Sequence, residues 1–121
     1  MKKIFLLCGC LFLFGCTTIS GMFNIKEHDP ALALAYIDTK ISIKDAFCDD
    51  YETLEIAYDQ SVWMYEYTLF VNDPQKKTAG SIVSDLDNAL SYSEENIGVC
   101  KRFLNLANIK LKTLQKTWSS R

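Results

Sequence analysis

From residue 31 to residue 71 the chain contains neither glycine nor proline, and from 82 to 118 the only one of either is Gly98. These two residue types break helices most readily, glycine through excess backbone freedom and proline through its missing amide hydrogen. Two stretches of that length without a breaker restrict the chain to long helices or a bundle of shorter ones. Between them lies Asn72-Asp73-Pro74-Gln75-Lys76-Lys77-Thr78-Ala79-Gly80, the one clear chain reversal. Apolar residues in the first stretch recur as Leu34, Ile37, Ile41, Cys48, Tyr51, Tyr58, Val62, Tyr65 and Leu69. In the second they recur as Val83, Leu86, Leu90, Ile97, Cys100, Leu104, Ala107, Leu111, Leu114 and Trp118. Gaps of mostly three and four predict amphipathic helices. Asp29 before Pro30 predicts the start, with the carboxylate as N-cap and the proline at the first helical position. Over 61–71 the aromatic and β-branched residues make a strand the competing reading. No other segment offers that strand a partner, so helix is expected there.

The first fifteen residues stand outside this pattern. Met1-Lys2-Lys3 is a short cationic start and residues 4–14 form an uncharged apolar run, the layout of a secretory signal. The run ends in Leu13-Phe14-Gly15-Cys16, which resembles the lipobox of bacterial lipoproteins. There a small residue precedes a cysteine whose sulfur, as nucleophile, takes a diacylglyceryl group, and cleavage makes that cysteine the mature N-terminus. Phe14 stands where a small or β-branched residue is usual. The resemblance implies a signal peptide at 1–15, an acylated Cys16 bearing palmitate-type chains, a tether over 16–28 and a helical domain at 29–118. With Thr17 rather than aspartate after the cysteine, it also implies the outer membrane with the domain facing the periplasm; the inner membrane and the cell surface are the alternatives. An uncleaved span over 4–23 and a plain cleaved signal are competing readings of the segment, and Thr17, Thr18 and Ser20 argue against the span.

Under the lipoprotein reading Cys8 and Cys10 leave with the signal and Cys16 is consumed by lipid. Cys48 and Cys100 remain, and two thiols in an oxidising compartment predict one disulfide. The two lie equally far from Pro74. In an antiparallel hairpin, residues at one level have a constant sum of numbers, here 148. That sum pairs Leu34 with Leu114, Ile37 with Leu111, Ile41 with Ala107, Tyr51 with Ile97, Tyr58 with Leu90, Val62 with Leu86 and Tyr65 with Val83. The expected fold is an all-α antiparallel hairpin with long arms, straight or kinked, pinned by Cys48–Cys100. Asp49 with Glu52 as a capping pair, and Asn96 with Gly98 as a helix end, place potential breaks beside both cysteines. The alternative is therefore a compact four-helix bundle with segments near 30–47, 50–71, 81–96 and 99–118.

A second apolar stripe lies off the seam: Tyr36, Ile43, Phe47 and Leu54 on the first arm, and Val99, Phe103, Leu106 and Ile109 on the second. A folded-back segment, a second copy forming a homodimer, or a protein partner must cover it. Near the reversal, Trp63 and Tyr67, with Tyr65 and Phe70, offer stacking faces for a ligand such as peptidoglycan. Motifs of catalysis are absent from the sequence: there is no glycine-rich phosphate loop, no Ser/His/Asp order and no metal-spaced cluster. His28, the single histidine, falls in the tether. No catalytic residue, metal or cofactor is expected, and Asp49-Asp50, Asp85, Asp87 and Glu94-Glu95 read as solvated helix faces.

Removing Lys2 and Lys3 takes the formal charge from −2 to about −4, with 11 basic side chains against 15 acidic. That balance disfavours nucleic acid, which demands a concentrated basic surface. Lys110, Lys112, Lys116 and Arg121 make the last helix a basic exception, matched to its C-terminal dipole and to anionic lipid. The expectation is a non-enzymatic lipoprotein, a structural or partner-binding component of an envelope assembly, secretion or exclusion system. In general form it is similar to pilotins, exclusion lipoproteins and immunity proteins.

Overall fold

The structure, a computed structural model, describes residues 29–120. The expected signal segment, Cys16 and the tether lie outside them. The described chain is all-α, with helices α1 (Pro30–Lys44), α2 (Tyr51–Phe70), α3 (Lys76–Tyr92) and α4 (Ile97–Ser119). The aromatic segment 61–71 completes α2, so helix wins there over strand.

Local chemistry explains the boundaries. Asp29 Oδ1 accepts from the Leu32 amide at 3.1 Å, with Pro30 in the first turn, as the sequence predicts. Helix α2 ends where Asn72 adopts φ 53°, a left-handed conformation that asparagine tolerates. The Asp73 amide then reaches back to the Thr68 carbonyl at 2.8 Å, the Asn72 amide to Leu69 at 3.1 Å, and Pro74 follows. The expected capping pair of Asp49 and Glu52 is not used. Asp50 is the N-cap of α2 without a side-chain bond. The Thr53 hydroxyl instead donates to the Asp50 carbonyl at 2.7 Å and accepts from the Phe47 amide at 2.9 Å. Asn96 does not end a helix but begins α4, accepting from the Val99 amide at 3.2 Å.

The long-armed hairpin gives way to the bundle, because each arm folds back on itself. The Thr39 hydroxyl lies 3.2 Å from the Gln60 carbonyl and the Tyr67 hydroxyl donates to Asp29 at 2.8 Å, so α1 and α2 run antiparallel. Tyr92 stacks on Phe103 with centroids 6.0 Å apart, and Lys110 Nζ bonds Ser81 Oγ at 2.6 Å, joining α3 to α4. Between the hairpins, Tyr65 covers Gly80 so closely that a Cβ there would meet its ring at 3.0 Å. Helices α1 and α4 close the ring least intimately. One end of the bundle gathers Asp29, the 71–75 reversal and the end of α4; the other holds the 45–50 and 93–96 turns.

At that second end Cys48 and Cys100 are joined, their Cα atoms 6.1 Å apart. The level rule therefore holds at the cysteines, and it is close again where the Tyr36 hydroxyl donates to Gln115 Oε1 at 2.9 Å. The side-chain pairing derived from it fails in α1, where Leu34 and Ile41 are exposed, and at the disulfide end, where Tyr51 and Ile97 are exposed. Apolar residues surround α1 and α2 on all sides, so spacing alone leaves their inward face undetermined. The face buried sets Leu32, Tyr36, Ile43, Leu54 and Met64 among small or self-satisfied side chains. Ala35, Ala57, Thr39 and Ser61 face the core, and the two hydroxyls donate to carbonyls of their own helices at 2.7 Å.

Replacing both cysteines by serine removes a cross-link between residues 52 apart. The chain-entropy model gives an upper figure of about 4 kcal/mol. Thermal unfolding is expected to move down by at least 10 °C or so, given roughly 4–8 °C per kcal/mol in a domain this small. An unchanged melting curve would contradict the role assigned to the bond.

Candidate functional site

The weakly closed side of the ring forms an open groove of about 550 Å³ between α1 and α4. Lys40 and Lys44 line one wall and Lys101 and Lys112 the other, with Ile43, Ala46 and Leu104 between them and Asn105 and Asn108 on the α4 side. Among the described residues no acidic side chain lines it, and none of the four lysines forms an ion pair with another described residue. Cations facing one another over an apolar floor repel, and the low-dielectric floor concentrates their field. The groove is held at both ends. Towards the α4 C-terminus, Tyr36 bonds Gln115 and sets its ring edge-on to Trp118 at 6.0 Å. Towards the other end the disulfide ties the turn after α1 to the first turn of α4.

The expected partner surface is redistributed. Tyr36, Ile43 and Leu54 are core residues, at 5%, 4% and 1% exposure. Tyr36 is covered by Trp118 and Leu54 is enclosed in the core, while Ile43 shows a partner only the edge that floors the groove. Val99 and Phe103 are half-buried, Phe103 against Tyr92. Phe47, Leu106 and Ile109 remain exposed, Phe47 in the disulfide-end turn and the other two on the outer side of α4, so they do not continue one stripe. Of the proposed ligand residues, Trp63 is exposed and lies flat against Tyr67, with centroids 5.9 Å apart. Tyr67 holds Asp29 through its hydroxyl. A shallow hollow beside Trp63 is lined by Asp38, Asp59 and Gln60 but not by Tyr67. The expected pair therefore forms a stacked ladder and not the two walls of a pocket.

Three groups stand out among the acidic residues, and Asp85 departs from the solvated face expected of it. Asp85 is buried and paired with Lys110 at 2.7 Å. Asp73 is buried at the reversal, accepting from Trp118 Nε1 at 3.1 Å and the Gln75 amide at 2.8 Å. Asp45, Asp49, Asp50, Glu52, Glu94 and Glu95 are exposed around the disulfide end. Among the described residues no group of three histidine, cysteine or carboxylate side chains is placed to hold a metal ion. Sequence reasoning missed the lysine groove, although its spacing was readable. Lys40 and Lys44 are one turn apart, and Lys101 and Lys112 are three turns apart on one face. No family model, curated protein or solved structure matches the chain.

Two tyrosines tie this geometry to pH. Burial raises Tyr36, and Tyr67 is raised first by its hydrogen bond to Asp29, then by burial and by the charge of that carboxylate. Both folded-state values lie above the unfolded tyrosine value near 10, so the protonated forms are favoured on folding. Their contribution is complete below that value and is lost as pH rises through the folded values. Denaturant midpoints followed from pH 9 upward are expected to fall in that range, and the Tyr36→Phe, Tyr67→Phe double variant to show a shallower fall.

Proposed function

We propose that this chain is a lipid-anchored, non-enzymatic component of a bacterial envelope whose α1–α4 groove holds an acidic segment of a protein partner. The observation that carries this reading is the four-lysine groove over an apolar floor, in a chain of net negative charge. From Lys101 to Lys112 the groove runs roughly 16 Å at 1.5 Å per residue, which is three helical turns. An amphipathic partner helix of that length would lay apolar side chains on Ile43, Ala46 and Leu104 and carboxylates against the lysines. Such charge pairing sets register and speeds encounter more than it raises affinity.

The anchor in this proposal is Cys16, supported by Leu13-Phe14-Gly15-Cys16 and by a disulfide between the two cysteines left after processing, which suits an exported chain. Among the described residues no helix is long and apolar enough to cross a membrane. The location we propose is the outer membrane, with the domain in the periplasm. A second reading, a sugar stacked on Trp63, draws on the hollow where Asp38, Asp59 and Gln60 would meet hydroxyl groups.

A photoreactive side chain at Asn105 is expected to cross-link one envelope protein in living cells, and one at Asp59 to leave it uncaptured. Lys101→Glu with Lys112→Glu is expected to lower that adduct at least tenfold without changing the melting temperature by more than a few degrees. An adduct indifferent to the charge reversal would remove the electrostatic basis of the groove.

A further inference from the structure

Exposed apolar residues are common singly, and most on this surface need no explanation. The end of the bundle that carries Asp29 is different. Leu69, Phe70 and Val71 are consecutive and all exposed there, Phe70 at 85%. They cap an aromatic line along one side of α2, in which Trp63 stacks on Tyr67 and Tyr67 lies 6.4 Å from Phe70. Lys76 and Lys77 begin the next helix and Lys116 stands in the last turn of α4. The carboxylates of Asp29 and Asp73 at this end accept hydrogen bonds from within the fold, leaving Glu66 as the exposed acid of the last turns of α2. At the opposite end six exposed carboxylates outnumber Lys44, Lys101 and Arg102, so the bundle is polarised along its length.

The chain outside the structure leaves from the same end. Twelve residues, 17–28, separate Cys16 from Asp29, and even fully extended they span no more than about 40 Å. An aromatic tip ringed by lysines is the side-chain chemistry of the membrane–water interface, where indole and phenol rings sit at headgroup depth and ammonium groups meet phosphates. We infer that this end of the bundle rests on an anionic lipid surface, with Phe70 inserted among the headgroups and Lys76, Lys77 and Lys116 against the phosphates. The inference rests on the proposed anchoring through Cys16. It assigns the acidic, disulfide-pinned end to the distal side, since an anionic surface repels it within a Debye length.

The full chain, reconstituted into vesicles of phosphatidylethanolamine and phosphatidylglycerol with part of the acyl chains brominated, reports the contact by tryptophan quenching. Measured as the difference from a Trp63→Phe parent, whose remaining emission comes from buried Trp118, the tryptophan of Phe70→Trp is expected to lose at least half its emission to bromine, and that of Phe47→Trp at the other end almost none. Exchanging phosphatidylglycerol for phosphatidylcholine, or introducing Lys76→Glu with Lys77→Glu, is expected to cut the quenching at position 70 at least twofold. Absent quenching at position 70, equal quenching at 47 and 70, or capture of a protein by a photoreactive side chain at position 70 in cells would each overturn the docking. Intact mass reports acylation of Cys16 separately. An acylated, co-floating chain without quenching at 70 defeats the docking and leaves the anchor, whereas quenching at 70 without acyl mass defeats the anchor and leaves the docking.

Discussion

The bond between Cys48 and Cys100 joins two parts of the chain that helix packing alone would hold only loosely. Cys48 belongs to the turn after α1 and Cys100 to the first turn of α4, the neighbouring helices of the ring in least contact. The opposite end of the same pair is tied by Tyr36 to Gln115 and Trp118, with Trp118 in turn bonded to Asp73. Between these two fastenings the walls carry lysines that repel one another. A repelling interface persists only when covalent and well-packed contacts flank it, and both are present here. The groove is therefore a consequence of where the fastenings lie.

Much of this was legible in the sequence, for reasons specific to particular residues. Asp29 before Pro30 announces a cap because nothing else satisfies the first amides so cheaply. Asn72 and Pro74 announce a reversal because one tolerates a left-handed conformation and the other cannot continue a helix. In α3 and α4 the apolar residues favour one side, Leu106 and Ile109 excepted, and Leu86, Leu111 and Leu114 are buried as their spacing implies. The failures concentrate in α1 and α2, where apolar residues occupy every side. Leu34 and Ile41 fit a three-four pattern as well as Tyr36 and Ile43 do, and only the partner surfaces decide between them. The breaks beside the cysteines were visible, but a break does not state whether the chain bends slightly or reverses. Glycine is absent from the 45–50 turn, and the reversal there depends on Thr53 bonding both Phe47 and Asp50.

The surface divides into regions with different chemistry, and the division follows the bundle axis. Lysines and an aromatic tip gather where the chain enters, carboxylates gather at the disulfide, and the basic groove lies on the flank between them. In the proposed arrangement the lysines set the register of a partner segment in the groove, while affinity depends on the apolar floor.

The cysteines also belong to different halves of the fold, one following α1 and the other opening α4. Each half is a local hairpin, α1 with α2 and α3 with α4, and contacts close in sequence form rapidly. Thiol oxidation takes seconds or longer. The docking of the hairpins, with its Tyr65–Gly80 contact, is what brings the two sulfurs together. A cross-link between the hairpins opposes the reverse step. It keeps the hairpins from parting and so lengthens the life of the folded chain.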